Sequence, residues 1–292
     1  MFRDGLLKGK RILVTGGGTG LGREMAAKYL ELGAAVFICG RRREVLEKTA
    51  AELMARHGGS VRCHGVDIRD AAAVDAMVQA IWEDGGPLTG LVNNAAGNFI
   101  SRTEDLSSRG FDAIANIVLH GSFYVTHAVG RRWIARGDKG SIVSIVVTWV
   151  WTGSPFVVPS AMAKAGVHVM TESLAVEWGR YGIRLNAIAP GIFPTEGAGK
   201  RLAPGRDFRD EAVSINPMGR TGKMQELQNL AAFLMADGAE FLTGQTIAID
   251  GGAHLVNGAS FNELFKWGDA DWEKARAAIR AQNEKDRRDR SL

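Results

Sequence analysis

Short, nearly continuous apolar runs alternate along this chain with longer stretches whose apolar residues recur every three or four positions. The short runs are RILVTG (11–16), AAVFICG (34–40), VRCHGVD (61–67), LTGLVNNAAG (88–97), GSIVSIVV (140–147), IRLNAIAPG (183–191) and TIAIDGG (246–252). Runs that are apolar on both alternating faces predict strands buried on two sides, as in a parallel sheet. The longer stretches include LGREMAAKYLELG (21–33), REVLEKTAAELMARHGG (43–59), DAAAVDAMVQAIWED (70–84) and SAMAKAGVHVMTESLAVEWGRYG (160–182), and these predict helices. Their alternation predicts an α/β fold with helices on both faces of a parallel sheet. No Pro- or Ser-rich linker, internal repeat or low-complexity segment divides the chain. A single domain is therefore expected over 1–268. A charged, partly helical tail over 269–292 follows, with Trp272, Ala275 and Ile279 at helical spacing. That spacing fits a solvated helix and an oligomer contact equally well.

Composition narrows the function classes. Of the 292 residues 46% are apolar, enough for a sizeable core, and the formal charge is only +4. No basic cluster interleaved with aromatics marks a nucleic-acid face, although a mild positive excess suits a small anionic ligand. Cys39 and Cys63 sit inside apolar runs and read as core thiols, with neither a disulfide framework nor metal-binding spacing. No signal-peptide core opens the chain, and no run of about 18 apolar residues exists to span a membrane. A cytoplasmic protein without membrane or nucleic-acid partners is expected.

The first strand joins the first helix through VTGGGTGLGREMA. Gly16, Gly20 and Gly22 allow a tight turn and close approach of a phosphate, and the helix N-terminus adds free N–H groups and the positive end of a dipole. At the end of the second strand, FICGRRREVL presents Arg41 and Arg42 where an NAD site places a carboxylate for the ribose 2′-OH. Arginine grips a 2′-phosphate that a carboxylate would repel, so NADP(H) is the expected cofactor. Asp67, closing the third strand, serves either the adenine amine or the cap of the next helix.

Taken together, TGGGTGLG, VDIRD, LVNNAAG, GSIVSI and LNAIAPG, in that order over roughly Leu7 to Gly252, resemble the short-chain dehydrogenase/reductase family. The resemblance implies a doubly wound Rossmann-like fold with a seven-stranded sheet, usually assembled as a homotetramer. It also implies a cofactor-binding set. Gly18, Thr19 and Leu21 join the glycines of the first loop, Ile68 joins Asp67, and Asn93 and Ala95 lie by the ribose. Pro190, Gly191, Ile192, Phe193 and Thr195 lie around the nicotinamide and pyrophosphate.

One departure matters. The family normally carries Tyr-x-x-x-Lys with a serine thirteen residues upstream of the tyrosine. Here those positions read Ser160, Lys164 and Val147. Tyrosine has a pKa near 10 that a lysine neighbour lowers, whereas an alkyl hydroxyl is a far weaker acid. Ordinary carbonyl reduction is not expected from this pair.

The segments NNAAGNFIS, FVVPSAMAKAG and AVEWGRYGIRLNAIAPG are similar to the 2,4-dienoyl-CoA reductases, which carry Ser-x-x-x-Lys. The resemblance implies NADPH-dependent reduction of a dienoyl thioester to an enoyl thioester. Negative charge then develops on the thioester oxygen, which needs hydrogen-bond donors. It implies that Lys164 holds the nicotinamide ribose, that Ser160 is a hydrogen-bonding partner, and that Asn98 donates to the thioester oxygen. A loop asparagine bonding its own backbone is the alternative for Asn98. Asn116 falls where the wider family places a helix-kinking asparagine that supports catalysis. Trp149 stands where the mitochondrial enzymes have a tyrosine, so it is either an indole donor or an apolar wall. Arg69, Phe99, Ser107 and Arg201 match acyl-CoA-binding positions, and TEGAGKRLAPG (195–205) matches a substrate lid. Two other classes stay open: a carbonyl reductase or alcohol dehydrogenase with a displaced acid, and a catalytically inactive NADP-binding scaffold. The GNF and FVVPS segments separate these from the first, because a scaffold has no use for pocket residues.

Overall fold

Alternation within each strand decides which of two cores a residue enters. In the computed structural model, which describes residues 1–195, 213, 216–256, 264 and 266–289, β1 (Arg11–Thr15) sends Ile12 and Val14 to one core and Leu13 to the other. β2 (Ala35–Gly40) divides in the same way, with Val36 and Ile38 opposite Phe37 and Cys39. β3 (Val61–Gly65), β4 (Gly90–Asn93), β5 (Gly140–Ile145), β6 (Ile183–Pro190) and β7 (Thr246–Ile249) complete a seven-stranded sheet in the order β3-β2-β1-β4-β5-β6-β7. Every neighbouring pair is parallel.

Helices cover both faces, as two-sided strands require. α1 (Gly20–Glu31) and α2 (Arg43–His57) pack on the face of Ile12 and Val14. α3 (Ala71–Glu83) packs on the face of Leu13. α4 (Ser108–Ala115) runs through one π-helical turn, Asn116–His120, into α5 (Gly121–Arg136), which joins α3 on that face. A short α6 (Trp149–Thr152) precedes the long α7 (Val158–Trp178), and α8 (Met224–Met235) returns to the face of α1. The result is the three-layer, doubly wound Rossmann-like arrangement. Cys39 is buried as expected, but Cys63 is only half-buried, because β3 is an edge strand with no neighbour beyond it.

Residues Met1–His254 form one compact unit and Leu255–Leu292 a second. α9 (Ala253–Val256) lies at the boundary. The second unit holds α10 (Asp269–Asp289), and there Trp267 and Trp272 meet edge-on with centroids 5.1 Å apart. No helix among the described residues is long and apolar enough to cross a membrane.

The contact of α5 with α7 leaves no room at Gly130. A Cβ there would lie 2.4 Å from the ring of Trp178, which is buried. Gly130→Ala is expected to destabilise the fold by about 1–3 kcal/mol, the usual cost of overpacking. Urea unfolding monitored by tryptophan fluorescence checks this, and an unchanged midpoint would show that the ring moves freely.

Candidate functional site

Parallel strands all end at one edge of the sheet, and the order of strands reverses at β1, opening a crevice there. The loop leaving β1 turns through left-handed backbone at Gly16 (φ 65°) and Gly20 (φ 55°). Other glycines serve packing. A Cβ on Gly22 would lie 2.4 Å from Asn94 Nδ2, and one on Gly17 would lie 2.5 Å from Ile38. Thr19, the N-cap of α1, makes no side-chain capping bond, and the first turn holds no acid. The first N–H groups of α1 are thus left for a ligand.

Two residues that the sequence reading missed fix this loop. The Thr15 hydroxyl accepts hydrogen bonds from the Asn94 and Ala95 backbone N–H groups at 2.9 and 3.0 Å. The Asn94 side chain donates to the Thr15 and Gly16 carbonyls at 2.9 and 3.3 Å. Loops from β1 and β4 are thereby joined. Their signal was the position of Thr15 and Asn94 at strand ends, visible only once β1 and β4 are known to be neighbours. Asn93, by contrast, turns inward. It is buried, and its amide donates to Thr126 and Ser144 at 2.8 and 3.4 Å.

The resulting cleft has a volume of about 430 Å³. Gly16, Gly18, Thr19 and Leu21 line it from the first loop, and Arg41 and Arg42 from the end of β2. Asp67 and Ile68 contribute from beyond β3, and Ala95 from beyond β4. Thr195 closes it from beyond β6. Both arginines are exposed, and neither joins an ion pair among the described residues. An extended, phosphate-bearing dinucleotide fits this donor set: backbone N–H groups in the middle and free guanidinium groups at the adenosine end. Arg69 is bound to Asp67, with Nε 3.0 Å from each carboxylate oxygen.

Outside the lining of this cleft, α7 places Ser160 and Lys164 one turn apart, both buried. The Lys164 ammonium donates to the Ile145 carbonyl at the end of β5. Burial lowers its pKa from 10.5 to about 8. Ser160 Oγ has no hydrogen-bond partner among the described residues. Asn98 bonds its own local backbone, the second of its two expected readings. Its Oδ1 accepts from the Phe99 backbone N–H at 2.9 Å, which leaves the side-chain N–H₂ with no partner among the described residues. Ser101 N–H donates to the Phe156 carbonyl at 2.9 Å, tying the Asn98 loop to the segment that enters α7. Phe156 is the one described non-glycine residue with positive φ, at 62°.

The other predicted positions divide. Asn116 opens the π-helical turn, accepting from Gly121 N–H, and the next residue, Ile117, lines the cleft. Phe99 packs half-buried against Ile114, Val118 and Ala163, and Trp149 is half-buried at the start of α6. Ser107 is the N-cap of α4, accepting from Gly110 N–H at 3.1 Å. Pro190 ends β6, and a Cβ on Gly191 would lie 2.7 Å from Asp250, so the chain there needs glycine. Ile192 and Phe193 line a separate cavity of about 310 Å³ with Arg220 and Asp250. Arg201 and the lid from residue 196 onward lie outside the described residues.

Residues 16–254 match the family described as enoyl-(acyl carrier protein) reductase. A probable 2,4-dienoyl-CoA reductase of Caenorhabditis elegans, producing (3E)-enoyl-CoA, is 44% identical over 98% of this chain and 94% of its own. A probable 2,4-dienoyl-CoA reductase of Bacillus subtilis, producing (2E)-enoyl-CoA, is 41% identical over 84% of this chain and 97% of its own. A gluconate 5-dehydrogenase from Burkholderia cenocepacia, solved with NADP and tartrate, superposes with a TM-score of 0.79 at 32% identity, covering 84% of this chain and 95% of that one.

Burial of Lys164 has a signed consequence. Its folded pKa of about 8 lies below the unfolded value of 10.5, so between these limits the unfolded chain binds more protons. The stability of the cofactor-free protein is expected to rise with pH across that window, relative to Lys164→Met, where this component is absent. Parallel pH-dependent denaturant titrations check it; identical slopes for the two proteins would refute it.

Proposed function

Because the chain belongs to the short-chain dehydrogenase/reductase family, within its 2,4-dienoyl-CoA reductase-like subgroup, it is an oxidoreductase, and we propose that it reduces 2,4-dienoyl-CoA thioesters to enoyl-CoA with NADPH. The observation that supports this most directly is the Ser160–Lys164 turn. A buried lysine stands one turn from a serine, where carbonyl reduction asks for a tyrosine, and Asn98, on a loop tied to the entry of α7 by the Ser101–Phe156 hydrogen bond, keeps its N–H donors unpaired among the described residues. That set suits stabilising charge on an oxygen more than protonating it.

When bound, NADPH would supply the hydride, and a solvent proton delivered to carbon would complete the reduction. Backbone N–H groups of the first loop and of α1 hold its pyrophosphate, and Arg41 and Arg42 hold the 2′-phosphate. Lys164 would hold the nicotinamide ribose and supply positive charge to it. Asn98 Nδ2–H donates to the thioester oxygen as charge moves there from the dienoyl carbons. Its own carbonyl is fixed by Phe99 N–H, so the donor is oriented before the substrate arrives. Ser160 Oγ–H hydrogen-bonds at the same end, and Asn116 supports the site through the π-helical turn beside the cleft. Trp149 forms an apolar wall, and Phe99 and Ser107 border the acyl-CoA entrance. The same reading takes the protein as a homotetramer; Met162, Val169 and Val176, seven residues apart on α7 and exposed, support it. Incubating the protein with NADPH and a panel of dienoyl-CoA, enoyl-CoA and ketone substrates tests the reading, and turnover of ketones alone would reject it.

NADPH is expected to bind at least about tenfold more tightly than NADH, because two guanidinium groups stand where an acid would bind the 2′-OH. Fluorescence titration of both cofactors decides this, and equal affinities would remove the assignment of Arg41 and Arg42. Ser160→Ala is expected to slow dienoyl reduction only about three- to tenfold, the worth of one neutral hydrogen bond. Asn98→Ala is expected to cost about 10²–10³-fold, as for donors aimed at transition-state charge. Steady-state kcat values for the two variants compare these roles; a dead Ser160→Ala beside an unaffected Asn98→Ala would reverse them.

A further inference from the structure

The adenosine end of the cleft holds a conflict of charge. Arg41 and Arg42 line it, but so does Asp67, the one acidic residue on its described walls. An ionised carboxylate beside a 2′-phosphate works against NADPH by the same Coulomb repulsion that excludes the phosphate from NAD sites. Asp67 is ionised. Hydrogen bonding from Arg69 holds its carboxyl below the usual carboxylate range, and the charge of Arg41 adds to this. Yet both of its oxygens are occupied by a residue two positions on. Arg69 Nε lies 3.0 Å from each oxygen, Nη2 lies 2.5 Å from Oδ2, and the Arg69 backbone N–H donates to Oδ1 at 3.1 Å. A turn closed by Asp70 N–H on the Asp67 carbonyl, at 3.1 Å, sets this spacing.

We propose that Arg69 is a specificity-determining residue for the cofactor: by pairing with Asp67 it cancels the one negative charge on the described cleft wall and leaves the full positive charge of Arg41 and Arg42 for a 2′-phosphate. The inference rests on the NADPH reading of the previous subsection and assigns it a residue beyond the two arginines of the β2 end. It also gives Arg69 a role distinct from gripping an acyl-CoA phosphate. Its guanidinium is already turned to Asp67, and an anion elsewhere would have to break that pairing. The pair is partly exposed, with side-chain accessibilities of 41% and 32%, so water screens it and the effect is modest.

The test is the ratio of NADPH to NADH dissociation constants, measured by fluorescence titration for the unmodified protein, Arg69→Ala, Asp67→Asn and the double variant. Any hydrogen bond from Asp67 to the adenine serves both cofactors and cancels in the ratio. Arg69→Ala is expected to weaken NADPH about three- to fivefold, the scale of a partly exposed charge pair, with NADH changed less than about twofold. Asp67→Asn is expected to raise the preference for NADPH, and the double variant to recover what Arg69→Ala loses. A ratio unmoved by Arg69→Ala, or a double variant as poor as Arg69→Ala, overturns the proposal. A raised KM for dienoyl-CoA in Arg69→Ala with an unmoved ratio also overturns it and returns the residue to the substrate. An unmodified protein without NADPH preference overturns the cofactor reading itself, a result distinct from these.

Discussion

Seven strands running in one direction bring every strand's C-terminal end to the same edge. The rest of the site depends on that constraint. The phosphate loop, the Arg41–Arg42 pair, Asp67, the Asn94–Asn98 loop and Ile145 lie at or just beyond the ends of different strands, spread along the chain from Gly16 to Ile145, and they are brought to one edge only because no strand reverses. The Thr15–Asn94 hydrogen bonds then lock the strand ends at the point where strand order reverses. Without that lock the glycine loop would keep its bonds from Gly16 N–H to the Cys39 carbonyl and from the Thr49 hydroxyl to the Gly18 carbonyl, but would lose its tie to the loop after β4.

At the reacting end, two kinds of backbone irregularity stand on either side of the Ser160–Lys164 turn. The π-helical turn at Asn116–His120 departs from regular helix, and Phe156 holds a left-handed backbone that disfavours any side chain. The Ser101–Phe156 hydrogen bond helps to retain the second, and it couples the loop carrying Asn98 to the helix carrying Ser160. Burial of the Lys164 ammonium adds an electrostatic cost, partly offset by the Ile145 carbonyl. These costs concentrate around Ser160 and Lys164, where the proposed reaction would take place, and the two cores on either side of the sheet supply the stability that sustains them.

The two ends of the proposed site face different electrostatic problems. Under the proposed function the adenosine end would meet a fixed charge on the cofactor with long, exposed side chains whose water-screened effects are small individually. Under the same proposal the reacting end would meet charge that exists only in passing, with short groups already oriented by the backbone, of which Asn98 is the clearest case.

The chain's apolar runs were enough to determine seven strands and the helices between them, because a strand buried on two faces has few polar residues to obscure its limits. The glycine loop, the arginines after β2 and the Ser-x-x-x-Lys turn were equally legible, since each depends on residues close in sequence. Other features were not. Asn93 and Asn94 are adjacent and chemically identical, and only strand alternation, together with the neighbours Thr126 and Thr15, sends one inward and the other to the cleft. Ser107 caps α4, a bond that its place in the motif does not reveal, and Ile192 lines a cavity other than the cleft, because a residue's place in a motif does not fix the direction of its side chain. Arg69 and Asp67 are two residues apart, yet their pairing needs the turn that follows β3. Local pattern determines where the backbone is regular; contacts between segments distant in sequence decide which side chains face the ligand.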